Sequence, residues 1–168
     1  MPHASPFQVH VGDLLRHGGP AKRHHIAEPV EWTIDMSRVV PDPPLDAELE
    51  LFAISGGIVV RGTVTITTRH TCARCLTESD RVMSVAVDQV AERTGGDDGY
   101  ELHGENLDLE PILRDEVMLA MPLLPVCEQG CSGLVPGAET SLNVGTPEPE
   151  GRSESPFSVL EGLFEPGD

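Results

Sequence analysis

The four cysteines of this 168-residue chain fall into two tight pairs, and this pairing constrains the possible fold more than any other feature. Two residues separate Cys72 from Cys75, three separate Cys127 from Cys131, and 51 residues lie between the pairs. Cysteines at such spacing can direct both sulfurs into one site from a tight turn, and a tetrahedral divalent metal needs four soft ligands. The pairs therefore predict one structural zinc ion held by all four cysteines, which would join the two regions of chain that carry them.

Other interpretations of the cysteines stay open at this point. They could be buried thiols or a disulfide, although a cytoplasmic chain is kept reduced. A redox-active pair normally opens a helix, whereas Cys72 ends a strand pattern. His103 and Glu105 form an H-x-E ahead of a cysteine pair, as in zinc deaminases, but the spacing of the following pair differs from that motif. His70, two residues before Cys72, is the one histidine retained as a substitute ligand.

Alternating apolar residues predict an antiparallel sheet in the first part of the chain. A short strand at residues 7–11 leads into one helical turn that ends at Gly18 and Gly19. The polar and basic stretch at residues 20–29, which contains Lys22 to His25, predicts a solvated loop. Further strands are predicted at residues 30–36, 45–54, 58–70 and 81–90, with a hairpin turn at Gly56 and Gly57.

Helical spacing of apolar residues comes late, at residues 109–121, with Asp108 as N-cap, Pro111 in the first turn and Pro122 as the stop. The 17 glycines and 15 prolines exclude a helical bundle. The predicted class is α+β: a strongly twisted antiparallel sheet that could close toward a barrel, covered by this helix and pinned by the two cysteine pairs. Residues 1–144 form the predicted domain, and residues 145–168 a disordered, acidic, proline-rich tail in which 157–164 could form a short helix.

The formal net charge of −17 is unevenly distributed. Residues 1–74 carry 7 basic and 8 acidic side chains, whereas residues 75–168 carry 4 basic and 20 acidic ones. Direct coating of nucleic acid is disfavoured, because phosphate binding concentrates basic residues and the chain has a single lysine, Lys22. The acidic half predicts a basic partner instead. With no long apolar run and no signal-peptide pattern, we expect a soluble, cytoplasmic protein without a membrane partner.

Three sequence segments resemble a known family. They are Cys72-Ala-Arg-Cys-Leu76, the helical segment at 108–122, and Pro125-Val-Cys-Glu-Gln-Gly-Cys-Ser-Gly-Leu134. In this order they are similar to the YceD-like family of large ribosomal RNA subunit accumulation proteins, from about residue 11 to residue 143. Many relatives carry further cysteines after the Gly-Leu, whereas residues 134–143 have none, which leaves the four-cysteine site as the only metal site available.

The resemblance implies a non-enzymatic role in synthesis, processing or accumulation of 23S ribosomal RNA, and hence in ribosome biogenesis. Because the chain is so acidic, we expect its contact with ribosomal RNA to be indirect, through a basic ribosomal protein or assembly factor. No small-molecule substrate is expected. The alternative is a metal-dependent or thiol redox enzyme that uses the paired cysteines, and it predicts an open metal position or a reactive thiolate.

Overall fold

The computed structural model describes residues 5–93, 99–127, 131 and 133. These residues form a mostly antiparallel α+β fold, as predicted. In chain order the elements are β1 (Gln8–His10), α1 (Gly12–His17), β2 (Lys22–Glu28), β3 (Thr33–Ile34), β4 (Ser37–Val39), β5 (Leu45–Ile54), β6 (Gly57–Thr71), β7 (Glu78–Glu92), β8 (Tyr100–Glu101), β9 (Asn106–Asp108) and α2 (Glu110–Ala120).

The long hairpin of β6 and β7 is the centre of the main sheet, because the two strands pair along their full length from Gly57–Glu92 to Thr71–Glu78. The other edge of β6 pairs first with β5 and then with β4, which forms a small hairpin with β3. β2 extends the sheet beyond β5, and β8 adds a short parallel pairing to the end of β7. A separate two-stranded sheet joins β1 to β9.

The expected closure toward a barrel is wrong. Among the strands that the structure describes, β2 and β8 lie at opposite ends of the main sheet and do not pair with each other. One edge of β6 does not pair with a single strand along its length. It is divided between β5 and the β3–β4 hairpin. The sheet therefore stays open, and helix α2 packs against its β7 side.

The core follows directly from the alternation of β5. Its residues Leu45, Ala47, Leu49 and Leu51 are buried, while the intervening acidic residues face solvent. The N-cap of helix α2 is Leu109, which makes no side-chain capping hydrogen bond, so the expectation of Asp108 as N-cap is wrong. Asp108, one residue earlier, accepts the Glu110 backbone N–H on its Oδ1 at 3.0 Å. The helix buries Ile112, Leu113 and Val117 against the same core. The prediction of this helix at residues 109–121 is thereby confirmed.

The basic stretch at residues 20–29 is not a loop, so that prediction is wrong. Residues Lys22–Glu28 form β2, which pairs with β5 from Lys22–Leu51 to Glu28–Leu45. One of the seven side chains of β2 is buried, and it is the apolar side chain of Ile26. The local sequence therefore lacks a clear apolar period, and the neighbouring strand supplies the stabilising contacts.

The single strand predicted at residues 30–36 is also wrong. The chain turns at Asp35, which has a left-handed φ of 40°, and this turn separates β3 from β4. Val30 and Trp32 are buried as expected, but they precede β3, and the Trp32 carbonyl accepts the Val39 N–H at 2.8 Å. Burial of alternate residues is thus preserved without a continuous strand.

Several predictions fall outside the described residues or were incomplete. The boundary at 144/145, the tail at 145–168 and its segment at 157–164 lie outside them. The short strands β8 and β9 were not predicted, since two or three residues carry too little periodicity to be recognised. Neither described helix is long and apolar enough to cross a membrane.

Tyr100 gives a clean test of how α2 packs beside β8. Burial, and then the nearby carboxylate of Asp115, raises the pKa of Tyr100 to about 12, and the phenol donates to Asp115 Oδ2 at 3.2 Å. Folding therefore favours the neutral phenol, and its contribution to stability is complete below the ordinary pKa of about 10 and is lost as pH rises toward 12. Tyr100 is the only tyrosine, so spectrophotometric titration of phenolate should report it alone, with a midpoint near 12.

Asp115→Asn is the matched variant, because it removes the charge and keeps the shape of the side chain. We expect it to lower the Tyr100 midpoint, while circular dichroism over the same pH range confirms that the protein stays folded. A wild-type midpoint at the ordinary value, about 10, would contradict both the partial burial of this ring and its hydrogen bond to Asp115.

Candidate metal centre

The first cysteine pair lies in the turn between β6 and β7. The Cys72 N–H donates to the Thr77 carbonyl at 2.9 Å, and the Leu76 N–H donates to the Cys72 carbonyl at 2.9 Å. Leu76 has a φ of 59°, in the left-handed region that non-glycine residues rarely occupy. These bonds close a tight turn that carries Cys72 and Cys75 on one side, as the two-residue spacing predicts.

The second pair follows α2 by way of residues 121–127, and backbone carbonyls hold this segment against the rest of the fold. Met121 ends the helix and is buried. Three donors from remote parts of the chain then reach successive carbonyls: Ser37 Oγ to Pro122 at 3.1 Å, Ala73 N–H to Pro125 at 2.8 Å, and Arg81 Nη2 to Val126 at 3.1 Å. The turn of β6 and β7 is thereby joined to the chain that leads into Cys127.

The structure brings all four predicted cysteines together, with every pair of sulfurs within 4.8 Å. Cys72 Sγ lies 3.7 Å from Cys131 Sγ, and Cys75 Sγ lies 3.6 Å from Cys127 Sγ. Four sulfurs placed about 2.3 Å from a tetrahedral zinc ion would lie about 3.8 Å from one another. A disulfide requires about 2.05 Å. The separations therefore fit tetrahedral metal coordination and do not describe disulfides.

Hydrogen bonds to sulfur favour the thiolate at Cys72 and Cys75. The backbone N–H groups of Cys127 and Arg74 point at Cys72 Sγ, at 3.3 and 3.4 Å, and lower the pKa of Cys72 to about 5. The Thr77 hydroxyl, 3.4 Å from Cys75 Sγ, lowers the pKa of Cys75. Thiolates are the form that binds a metal.

Cys127 behaves in the opposite sense. Hydrogen bonding of its thiol to the neighbouring cysteines raises the pKa of Cys127 to about 12. Cys131 has the largest effect, followed by Cys75 and Cys72. Four thiolates so close together repel one another, so one or more of them keeps its proton unless a cation balances the charge. A divalent ion supplies that balance, and its binding would release the remaining thiol protons.

The structure does not place His70 among the candidate ligands. His70 is buried, with Nδ1 2.8 Å from Ser37 Oγ and Nε2 2.8 Å from Thr68 Oγ1. Burial, followed by the positive charge of Arg81, lowers the pKa of His70. Both ring nitrogens thus have hydroxyl partners, and the prediction of a substitute ligand is wrong.

Among the described residues, the closely spaced group of possible ligands consists of the four cysteines and contains no histidine or carboxylate. His103 and Glu105 belong to the connection between β8 and β9, where Glu105 forms an ion pair with Arg16 of α1. The H-x-E therefore does not join the cysteines as a deaminase motif would. Ser37, Thr77 and Arg81, which support the site, were not predicted, because no local sequence pattern distinguishes them.

Comparison with known proteins identifies the family. The model of the family described as "Large ribosomal RNA subunit accumulation protein YceD" matches residues 60–164. The chain belongs to the YceD family. The matched range includes both cysteine pairs, β7 and α2, so the candidate metal centre lies entirely within the region that defines YceD membership. The family predicted from the sequence is thereby confirmed.

Mycobacterial proteins are among the similar sequences. Uncharacterized protein Rv2926c of Mycobacterium tuberculosis and uncharacterized protein Mb2951c of Mycobacterium bovis are each 31% identical over 143 residues, covering 79% of this chain and 69% of the relative. Uncharacterized protein ML1660 of Mycobacterium leprae is 30% identical over 132 residues, covering 73% and 60%. No solved structure matches the YceD chain significantly.

Proposed function

We propose that this YceD protein is a non-enzymatic, cytoplasmic ribosome biogenesis factor that supports the synthesis, processing or accumulation of 23S ribosomal RNA. The observation that carries the proposal is the family match over residues 60–164. The family description names accumulation of the large ribosomal RNA subunit, and the match includes the strands, the helix and the cysteines that build the candidate metal centre.

The four cysteines hold one structural zinc ion in this proposal. The sulfur separations of 3.6 and 3.7 Å support tetrahedral coordination by four thiolates, a ligand set typical of structural zinc. Catalytic zinc keeps one position open for water or substrate, and here protein sulfurs would fill all four. The ion would fix the turn between β6 and β7 to the segment that follows α2.

A basic protein is the proposed link to ribosomal RNA. Arginines on the exposed face of the main sheet lie beside carboxylates and so do not present a uniformly cationic surface to phosphates. These ion pairs are Arg23–Glu50 at 3.1 Å, Arg61–Asp88 at 3.0 Å and Arg69–Asp80 at 2.6 Å. Together with the net charge of −17, they favour contact with a basic ribosomal protein or assembly factor over direct contact with RNA.

Depletion of the protein in its own cells tests the role in ribosomal RNA. We expect mature 23S ribosomal RNA to fall relative to small-subunit ribosomal RNA, and a plasmid copy of the wild-type chain to restore it. Quantitative hybridisation to mature and precursor species measures both. An unchanged ratio after complete depletion would refute the proposed function.

Metal analysis separates this proposal from the alternative of a metal-dependent or thiol redox enzyme. We expect one zinc ion per chain and four thiols that react slowly until a chelator removes the metal. Elemental analysis and thiol titration, before and after chelation, give the two numbers. A metal-free protein with one rapidly reacting thiol would favour the redox enzyme instead.

A further inference from the structure

Four exposed aliphatic side chains lie along the chain between the end of α2 and the candidate metal centre. Leu119 is 85% exposed, Leu123 60%, Leu124 74% and Val126 51%. These four side chains come from eight consecutive residues, and we call them the 119–126 surface. Single exposed leucines are ordinary, whereas neighbouring large aliphatic side chains held in solvent mark interaction sites.

The backbone beneath this surface is anchored at both ends. Met121 is buried, and the carbonyls of Pro122, Pro125 and Val126 accept hydrogen bonds from Ser37, Ala73 and Arg81, respectively. The backbone is therefore held in place on both sides of Leu123 and Leu124. A surface that is already ordered loses little conformational freedom when a partner binds, which favours affinity.

The charge around the 119–126 surface identifies the chemistry of the partner. The cationic groups next to it already have partners, since Arg114 Nε lies 3.6 Å from Asp115 Oδ1 and Arg81 donates to the Val126 carbonyl at 3.1 Å. Asp115 and Glu116 belong to α2 itself, one to two turns before the exposed leucines. An apolar centre beside carboxylates complements a segment that presents apolar side chains flanked by lysine or arginine.

We propose that the 119–126 surface docks a basic polypeptide, whose apolar side chains cover Leu119, Leu123 and Leu124 and whose cationic side chains meet the carboxylates of α2. The inference rests on the proposed function, because it specifies where the basic partner binds. Charge argues against the other occupants. A second copy would bring a further −17, and residues 134–168 of this chain contain seven acidic residues and one arginine.

Site-specific photo-crosslinking in living cells tests the docking surface with the full-length protein. A photoreactive side chain replaces Leu123 in one variant and Val82 in the matched control. Val82 is an aliphatic residue of β7 that is 73% exposed, on the strand face opposite Arg81 and Met83. We expect position 123 to crosslink to a strongly basic polypeptide, which mass spectrometry identifies, and position 82 to give no adduct with it.

Serine substitutions then measure the contribution of the surface to binding. With the purified basic polypeptide, Leu123→Ser combined with Leu124→Ser should weaken binding at least about tenfold, whereas Val82→Ser should leave it unchanged. Binding of the wild-type protein should weaken as salt rises. Metal content and the unfolding transition of each variant are measured first, to establish that both remain folded.

The outcomes separate failure of the surface from failure of the function. Adducts only to a second copy, to residues within the same chain or to a neutral or acidic protein would overturn the docking proposal, as would no adduct at all. If depletion impairs 23S ribosomal RNA and the double serine variant restores it fully, the docking surface is wrong and the function stands. If depletion has no effect on 23S ribosomal RNA, the proposed function itself fails.

Discussion

Replacing Cys72 with serine is expected to remove the metal from the protein and to lower the free energy of unfolding by about 2–5 kcal/mol. This range is that for loss of a covalent crosslink, and a metal that joins residues 72–75 to residues 127–131 closes a long loop in the same way. Cys72 is buried and accepts two backbone N–H groups, so the serine hydroxyl would occupy a site built for a thiolate. The apolar core of β5, β6 and α2 remains, so the chain should stay folded in the absence of denaturant.

Elemental analysis and urea denaturation measure these two effects, with Thr71→Ser as the control. Thr71 adjoins Cys72 at the end of β6, and its substitution leaves all four thiols in place. A chelator should destabilise the wild-type protein by about as much as the Cys72 substitution does, and should leave the Cys72→Ser variant unchanged. Equal stability of wild type and variant, with and without chelator, would show that the cysteines do not hold a structural metal.

The parts of the fold that sequence predicted well are those with a strong local period. The strands at 45–54 and 58–70 alternate over many residues and have a glycine turn between them, and both appear as β5 and β6. The helical spacing at 109–121 likewise produced α2. The meeting of the two cysteine pairs was also predictable, since pairs at metal-ligand spacing are informative without any knowledge of the sheet.

The parts that sequence did not predict depend on contacts between remote residues. Strand β2 forms because β5 offers it an unpaired edge, although its own sequence resembles a polar loop. The open sheet depends on how β4 and β5 share β6, which no pattern within a single strand encodes. His70 lies near Cys72 in sequence, but its ring is directed to Ser37 and Thr68 and away from the sulfurs. Proximity along the chain was therefore a poor guide to ligation.

Replacing Gly62 with alanine is expected to lower the free energy of unfolding by about 3 kcal/mol or more, the upper end of the range for overpacking. Gly62 lies on β6 between Leu49 of β5 and Val87 of β7. A Cβ at this position would overlap the Glu48 carbonyl oxygen and lie 2.9 Å from Leu49 Cα. Both obstacles are backbone atoms, so no side-chain rotation can relieve them, and β5 would have to move away from β6.

Thr63→Ala is the matched control, because Thr63 is the next residue of β6 and its side chain lies on the exposed face. Urea denaturation should show a large loss for Gly62→Ala and a change of less than about 0.5 kcal/mol for Thr63→Ala. Because β6 leads directly into Cys72, the Gly62 substitution also tests whether the protein still binds metal when the sheet is destabilised. The folded Gly62→Ala protein should still bind one metal ion, because the turn and all four thiols are intact, but it should release that ion at a lower urea concentration than wild type. Wild-type stability for Gly62→Ala would contradict the close approach of the β5 backbone to Gly62.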